Sequence, residues 1–312
     1  MGVLLAGASG TIGLPLVRQL LGAGHQVVAI HRSTGSGDVL RAARATAIQV
    51  DVLDRDALLR AVRGHQCDAV ISQLSALKKT PARHKDMAAT NRLRTVGTAN
   101  LLAAASAVGA TRFVTQSMVF GYGYGDFDDQ VLTEADRFAP PGRGRFEAHL
   151  AAMRSNEQQV FGATLEGIAL RYGLFYGPGP AGDTLVNGVR RRRLPVIPNG
   201  GVLPWIHVED AAAATLAALE RGAAGSAYNI TDDEPVSFSD LITATAVALD
   251  APPPLRMPPW LLNAAPYAKA VLTGGLRVSN EKAKRELGWM PQMPTYRDGI
   301  ADLDRRYERE AA

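Results

Sequence analysis

Three glycines near the start of the chain, Gly7, Gly10 and Gly13, separate an apolar run at residues 3–6 from a second one at residues 14–21. This pattern predicts a strand, a tight turn and a helix, because a glycine in the turn lets another backbone or a phosphate come close. The unpaired N–H groups at the start of such a helix attract anions. The turn is therefore predicted to bind a pyrophosphate through Gly7, Ser9, Gly10, Thr11, Ile12 and Gly13.

The composition describes an ordinary soluble protein of one large or two smaller domains, with 312 residues, 46% hydrophobic and 21% charged. The net charge is only 34 − 30 = +4, and the basic run at residues 190–193 has no aromatic residues between its arginines, so we expect no nucleic-acid partner. No stretch of about 18 apolar residues predicts a membrane span. The single Cys67 excludes an internal disulfide, and cytoplasmic residence is expected.

Strands and helices are predicted to alternate after the turn, with strands at residues 26–30, 47–50, 69–74 and 112–115 and a long helix at residues 90–108. Such an order indicates a parallel sheet covered by helices on both faces. Ligands bind at the carboxyl ends of these strands. The residues predicted to meet the cofactor there are His31, Arg32, Ser33, Asp51, Val52, Leu74, Ser75, Ala76 and Gln116.

The segment His31-Arg32-Ser33 follows the second strand, where an NAD-selective protein usually has an acidic residue. A basic residue beside a small hydroxyl suits the 2′-phosphate of NADP, so NADP(H) is favoured over NAD(H). Each of two assignments has an open alternative. Arg32 lies in solvent and does not meet the 2′-phosphate, or Asp51 starts the next helix and does not contact the nucleotide.

Several blocks of the sequence together match one known family. They are the three glycines, residues 51–54, Asn91 with residues 97–102, and residues 112–114, 171–179, 204–210, 227–230 and 286–291. These blocks resemble the extended short-chain dehydrogenase/reductase family, which includes the nucleotide-sugar epimerases and dehydratases. The resemblance implies a Rossmann-type doubly wound parallel sheet over residues 1–170 and a smaller C-terminal substrate lobe over residues 171–312, with segments that return to the first domain. It also implies cofactor contacts at Tyr172, Gly173 and Leu174, and a homodimer as the default assembly.

The family's Tyr-x-x-x-Lys pair is missing, although hydride transfer to a carbonyl leaves an alkoxide that must gain a proton. His149 and Met153 stand at the two positions, and no lysine occurs between Lys85 and Lys269. The segment that carries the family's catalytic serine or threonine is altered as well. The candidate proton donors are Ser117, Tyr122, Tyr124 and His149.

Two further departures concern the substrate. Leu174 and Leu203 replace an asparagine and an arginine that hold a nucleotide diphosphate in related enzymes, while Phe175 and Trp205 offer aromatic contacts. We therefore expect an NADP(H)-dependent oxidoreductase that acts on a small, apolar or aromatic, carbonyl-type molecule. The alternatives are a redox-neutral epimerase, dehydratase or cyclase, and a dinucleotide-sensing protein without turnover. No ligand spacing indicates a metal site.

Overall fold

The computed structural model describes residues 1–77 and 80–311. The strands are β1 (Gly2–Ala6), β2 (Gln26–His31), β3 (Thr46–Gln49), β4 (Ala69–Ser72), β5 (Arg112–Met118), β6 (Val131–Leu132), β7 (Glu166–Tyr172), β8 (Leu174–Tyr176), β9 (Val202–Leu203), β10 (Trp205–His207), β11 (Ser226–Ile230), β12 (Val236–Ser237) and β13 (Arg277–Val278). The helices are α1 (Gly13–Gly22), α2 (Thr34–Ala42), α3 (Arg55–Ala61), α4 (Ala88–Arg92), α5 (Thr98–Val108), α6 (Glu147–Phe161), α7 (Pro180–Arg190), α8 (Val208–Arg221), α9 (Phe238–Ala248), α10 (Pro266–Thr273), α11 (Glu281–Leu287) and α12 (Tyr296–Ala311).

A seven-stranded sheet in the order β3-β2-β1-β4-β5-β7-β11 is parallel throughout and organises the chain. Side chains on a strand point to alternate faces, so neighbouring Leu4 and Leu5 are both fully buried but belong to different hydrophobic clusters. Leu5 packs with residues of α1 and α8, and Leu4 packs with residues of α3 and α5. The predicted doubly wound sheet with helices on both faces is confirmed.

One element of this domain was absent from the prediction. Residues 34–42 form α2, a helix that contains Gly35 and Gly37. A Cβ on Gly37 would lie 3.0 Å from the ring of His31, so close packing against β2 requires a small residue inside this helix. The start of α2 consequently lies directly beyond the end of β2.

The predicted long helix at residues 90–108 is present but changes its winding. The chain passes from α4 through a π-helical segment, Leu93–Gly97, into α5. A π-helical turn alters the direction of the side chains relative to a continuous α-helix, and such turns are frequent at functional sites. Arg94 is buried within this segment.

The second half of the chain supplies both the edge of the sheet and a smaller lobe. β7 and β11 extend the central sheet, so the predicted division after residue 170 falls inside β7. The lobe contains the short pairs β8–β10, β9–β12 and β6–β13. No helix among residues 1–77 and 80–311 is long and apolar enough to cross a membrane.

Asp210 lies in the first turn of α8. Its carboxylate accepts the backbone N–H groups of Gln292 and Met293, both at 2.8 Å. Its carbonyl accepts the indole N–H of Trp289 at 3.2 Å. Asp210 thus attaches the segment after α11 to α8.

Candidate active site

The glycine turn has the tight geometry that the sequence predicted. Gly7 has φ +85°, and a Cβ there would lie 2.3 Å from the carbonyl oxygen of Gln73. A Cβ on Gly13 would lie 2.2 Å from the carbonyl oxygen of Gly7, so the helix can begin this close to β1 only with glycine. The tip of the turn at Ser9 and Gly10 is exposed.

The start of α1 offers free donors to an anion. Within the part of the chain that the structure describes, no hydrogen bond is recorded for the backbone N–H of Thr11 or Ile12, and the first turn of α1 contains no acidic residue. These features fit the pyrophosphate of a dinucleotide, which binds where a helix presents unpaired N–H groups and a positive dipole end.

The other predicted cofactor residues follow neighbouring strands at the same edge of the sheet. They come from the ends of β2, β3, β4 and β5. Asp51 also makes a local contact, since its carboxylate accepts the N–H of Leu53 at 2.9 Å. Asp54 caps α3 by accepting the N–H of Ala57 at 2.9 Å. The residues brought to this edge are His31, Arg32, Ser33, Asp51, Val52, Leu74, Ser75, Ala76 and Gln116.

A cavity of about 480 Å³ lies beyond β2, between the start of α2 and β3. Nδ1 of His31 lies 2.9 Å from the carbonyl oxygen of Ser33, which fixes the chain where β2 passes into α2. Arg32 is exposed beside this region, and Arg41 within it pairs with Asp38 at 2.7 Å. The lining residues are His31, Thr34, Gly35, Asp38, Arg41, Ala47 and Gln49.

Tyr172 departs from its predicted role as a cofactor contact. Its side chain is fully buried, its hydroxyl lies 2.6 Å from the Thr215 hydroxyl, and it accepts the Gln73 amide at 3.0 Å. Burial raises the pKa of Tyr172 above its usual value. The next residue, Gly173, has no room for a side chain, because a Cβ there would lie 2.6 Å from the carbonyl oxygen of Pro204. The ring of Tyr172 therefore packs inside the protein.

Ser117 and Tyr122, two candidate proton donors, belong to a buried network around an ion pair. Arg171 donates to both carboxylate oxygens of Glu157, at 3.0 and 2.8 Å. Ser117 donates to Glu157 at 2.6 Å, and Tyr122 accepts from Arg171 and donates to Asn229, both at 2.9 Å. Burial is the main reason that the pKa of Tyr122 is raised to about 12. Both hydroxyls are thus occupied within the network.

Tyr124 and His149, the other two candidates, meet in a separate group that we call the aromatic cluster. It consists of His84, Tyr124, Phe146, His149 and Tyr267. The Tyr124 and Tyr267 hydroxyls lie 3.2 Å apart, and the Tyr124 ring stacks on Phe146 with centroids 4.4 Å apart. The sequence did not predict that α10 would bring Tyr267 to this place.

His149 is held at both ring nitrogens. The side-chain amide of Asn91 lies 2.9 Å from Nδ1, and Nδ1 of His84 lies 3.0 Å from Nε2. Burial, and then the charges of His84 and Arg94, lower the pKa of His149 to about 4. The imidazole is therefore neutral near pH 7. Met153, at the family's lysine position, is only 1% exposed and packs in a hydrophobic cluster.

Arg94 is the feature of this region that the sequence analysis missed. Its side chain is only 9% exposed, and its Nη1 atom has no hydrogen-bond partner. Burial lowers the pKa of the guanidinium, while the nearby Tyr124 and Tyr267 oppose that change. No acidic residue in the described part of the chain pairs with it. In the sequence, the one indication that Arg94 belongs to the site is its place three residues after Asn91.

The two predicted substrate contacts lie elsewhere. Trp205 is buried in the core of the lobe and donates its indole N–H to the carbonyl of Val236 at 2.9 Å. Phe175 is half-buried and packs against Tyr172 with centroids 5.4 Å apart. The position of Trp205 is that of a packing residue, which corrects its assignment to the substrate.

The sheet order, the glycine turn and the strand-end residues together define a dinucleotide-binding enzyme of the Rossmann type. The model of the NAD dependent epimerase/dehydratase family matches residues 3–231, so the chain belongs to that family. It is an NAD(P)-dependent enzyme of oxidoreductase or epimerase/dehydratase type.

The curated relatives that are named as reductases include the following two. The chain is 39% identical over 315 residues to a 3-diazoavenalumate denitrifying reductase from Streptomyces sp., across 96% of this chain and 99% of the relative. It is 29% identical over 273 residues to a 2-alkyl-3-oxoalkanoate reductase from Stenotrophomonas maltophilia, across 81% and 77% of the two chains. Among solved structures, UDP-glucose 4-epimerase from Thermotoga maritima with UDP-glucose has the same fold, with a TM-score of 0.80, 21% identity and full coverage of both chains.

Proposed function

We propose that the protein is an NADP(H)-dependent reductase that removes nitrogen from a small diazo-substituted aromatic molecule. The proposal draws on the relative that is 39% identical over nearly the whole chain, whose name describes reductive denitrification of a diazo compound. It departs from the carbonyl-type substrate that the sequence alone favoured. The reason is that His149 occupies the position where a carbonyl reductase of this family has its proton donor.

The observation that carries this proposal is the state of His149. It occupies the family's tyrosine position, both of its ring nitrogens have hydrogen-bond partners, and its pKa is lowered to about 4. A general acid works best when its pKa lies near the operating pH. A neutral imidazole with both nitrogens occupied, and Met153 in place of the lysine, form a poor proton-donating site.

Reduction of an aryl diazonium ion needs no proton from the protein. NADPH supplies a hydride together with its electron pair. In the balanced reaction the diazonium cation gains the hydride, the bond from ring carbon to nitrogen breaks, N₂ leaves, and the hydrogen ends on the ring carbon. The products are the arene, N₂ and NADP⁺, and the charges balance without an alkoxide.

The residues of this chain bind and shield the reactants. The glycine turn and the N–H groups of Thr11 and Ile12 would hold the pyrophosphate. The start of α2 with Arg32 would receive the 2′-phosphate, which supports NADP(H) over NAD(H). Tyr124 and Phe146 are half-buried members of the aromatic cluster, and the accessible parts of their rings would meet a cationic aryl group, which the negative potential of an aromatic ring attracts.

A ketone reductase is the second candidate, because one relative is named a 2-alkyl-3-oxoalkanoate reductase. Tyr124, one of the four candidate donors, would then supply the proton. Its ring contacts His149, as does the ring of Tyr267, the other phenol of the cluster. Burial raises the pKa of Tyr124 well above its usual value, and the charge of the nearby Arg94 opposes this rise only in part. We therefore favour the diazo substrate.

An assay of NADPH oxidation separates the two candidates. The probes are diazotised 3-aminocinnamate and, in parallel, a panel of 3-oxoalkanoates and aryl ketones. We expect NADPH-dependent conversion of the diazonium compound to cinnamate and no comparable turnover of the ketones. Reduction of ketones without any conversion of the diazonium compound would support the second candidate instead. A no-enzyme reaction with NADPH measures the uncatalysed rate.

A further inference from the structure

A positively charged group in the interior normally has an anionic partner, and Arg94 has none among the residues that the structure describes. Its side chain is nine-tenths buried, its Nη1 atom is without a hydrogen bond, and no ion pair is recorded for it within residues 1–77 and 80–311. A buried unpaired guanidinium destabilises the folded protein. A bound anion would supply the partner that the guanidinium lacks.

Arg94 lies beside the aromatic cluster, because the π-helical segment that carries it packs against α6, where Gln159 donates to the carbonyl of Thr95 at 3.2 Å. It acts on the pKa of Tyr124, Tyr267 and His149, which belong to the loop after β5, to α10 and to α6. Asn91, which contacts His149, precedes it by three residues. None of these residues belongs to the glycine turn, so the missing anion is not the pyrophosphate of the dinucleotide.

We propose that Arg94 binds the carboxylate of the substrate and that the substrate is therefore an aromatic acid. This inference rests on the proposed function and specifies its substrate. A guanidinium presents two parallel N–H groups to a carboxylate and gives a strong, oriented ion pair. Tyr124, Phe146 and Tyr267 would contact the aromatic part of the same molecule.

The charge of the cluster favours a carboxylate over a phosphate. Arg94 is the buried cation beside the cluster, whereas Arg145, which acts on the pKa of His84, is exposed. A phosphate carries up to two charges and three acceptor oxygens, and a single guanidinium leaves most of these without a partner. The carboxylate has one charge and two oxygens, which one guanidinium can satisfy.

Binding of cinnamate and of its uncharged analogue cinnamamide, measured by titration calorimetry on the NADP⁺-saturated protein, tests this inference without any turnover. We expect cinnamate to bind at least about tenfold more tightly, which corresponds to the loss of one hydrogen-bonded charge pair. Arg94→Met should remove this preference. The matched control is Arg92→Met, because Arg92 is exposed and only two residues away.

Thermal unfolding separates a binding role from a structural one. The ligand-free Arg94→Met variant should have a Tm equal to or above that of the wild type, since an unpaired buried charge is removed. A clear fall in Tm, or equal binding of cinnamate and cinnamamide by the wild type, would refute the carboxylate site. If cinnamate is preferred through Arg94 but diazotised 3-aminocinnamate is not reduced, the site stands and the proposed reaction fails.

Discussion

The side-chain amide of Asn91 lies 2.9 Å from Nδ1 of His149 and donates to it, which leaves the proton of the imidazole on Nε2, facing His84 at 3.0 Å. The opposite orientation of the amide would reverse both hydrogen bonds and would leave the ring neutral as well. His149 thus stands where a proton donor is expected and is held as a neutral group. This relationship underlies the first two predictions.

Replacing His149 by glutamine should lower kcat for the diazonium substrate by less than about tenfold, because glutamine keeps a hydrogen-bonding side chain and no proton transfer is lost. Loss of a true general acid typically costs 10²- to 10⁴-fold. Steady-state kinetics with diazotised 3-aminocinnamate provide the measurement. His84→Gln is the matched control, and a loss above about a hundredfold in His149→Gln alone would identify His149 as a catalytic acid.

The stability of the protein should decrease as the pH falls from 6.5 towards 4. The pKa of His149 is about 4 in the folded protein and near 6.5 in the unfolded chain, so the unfolded state binds more protons within this window. Protonation therefore favours unfolding as the pH is lowered. Urea unfolding at several pH values should show a weaker pH dependence in His149→Gln than in the wild type; identical slopes would contradict the lowered pKa.

Gly13→Ala should prevent nucleotide binding and reduce stability, since the new Cβ would lie 2.2 Å from the carbonyl oxygen of Gly7. Gly22→Ala is its control in the same helix, because a Cβ there meets nothing within 4 Å. Fluorescence titration with NADPH and thermal unfolding compare the two variants. Tight NADPH binding by Gly13→Ala would show that the turn does not hold the pyrophosphate.

Arg32→Ala should weaken NADPH binding by about ten- to a hundredfold, the range expected for one charged hydrogen bond, and leave NADH binding nearly unchanged. The reason is that only NADPH carries the 2′-phosphate. Dissociation constants for both cofactors give the answer. Arg41→Ala tests the second arginine, which already pairs with Asp38 in the neighbouring cavity. Equal losses for NADPH and NADH in Arg32→Ala would refute the assignment.

The sequence predicted the fold well because the fold depends on local patterns. The apolar runs that became β1, β2, β4 and β5 are continuous, and the glycine turn has few alternative structures. It did not predict α2, because two residues of this helix are glycines, which disfavour a helix, and the close packing of Gly37 against His31 is known only from the fold.

The active site was predicted less well because its contacts join distant parts of the chain. Tyr124 and Tyr267 are 143 residues apart in sequence but have hydroxyls 3.2 Å apart. Arg94 is buried in the π-helical segment, whose winding a regular helical repeat does not predict. Trp205 has the residue type of a substrate contact, yet its indole N–H bonds to Val236 inside the lobe.

The stoichiometry of nitrogen release tests the central claim most directly. The substrate is diazotised 3-aminocinnamate made with ¹⁵N-nitrite, and gas mass spectrometry measures ¹⁵N¹⁴N while absorbance measures NADPH. We predict one N₂ released and one cinnamate formed for each NADPH oxidised, at a rate well above the reaction without enzyme. NADPH oxidation without labelled N₂, or no acceleration of N₂ release by the enzyme, would contradict the proposed reaction.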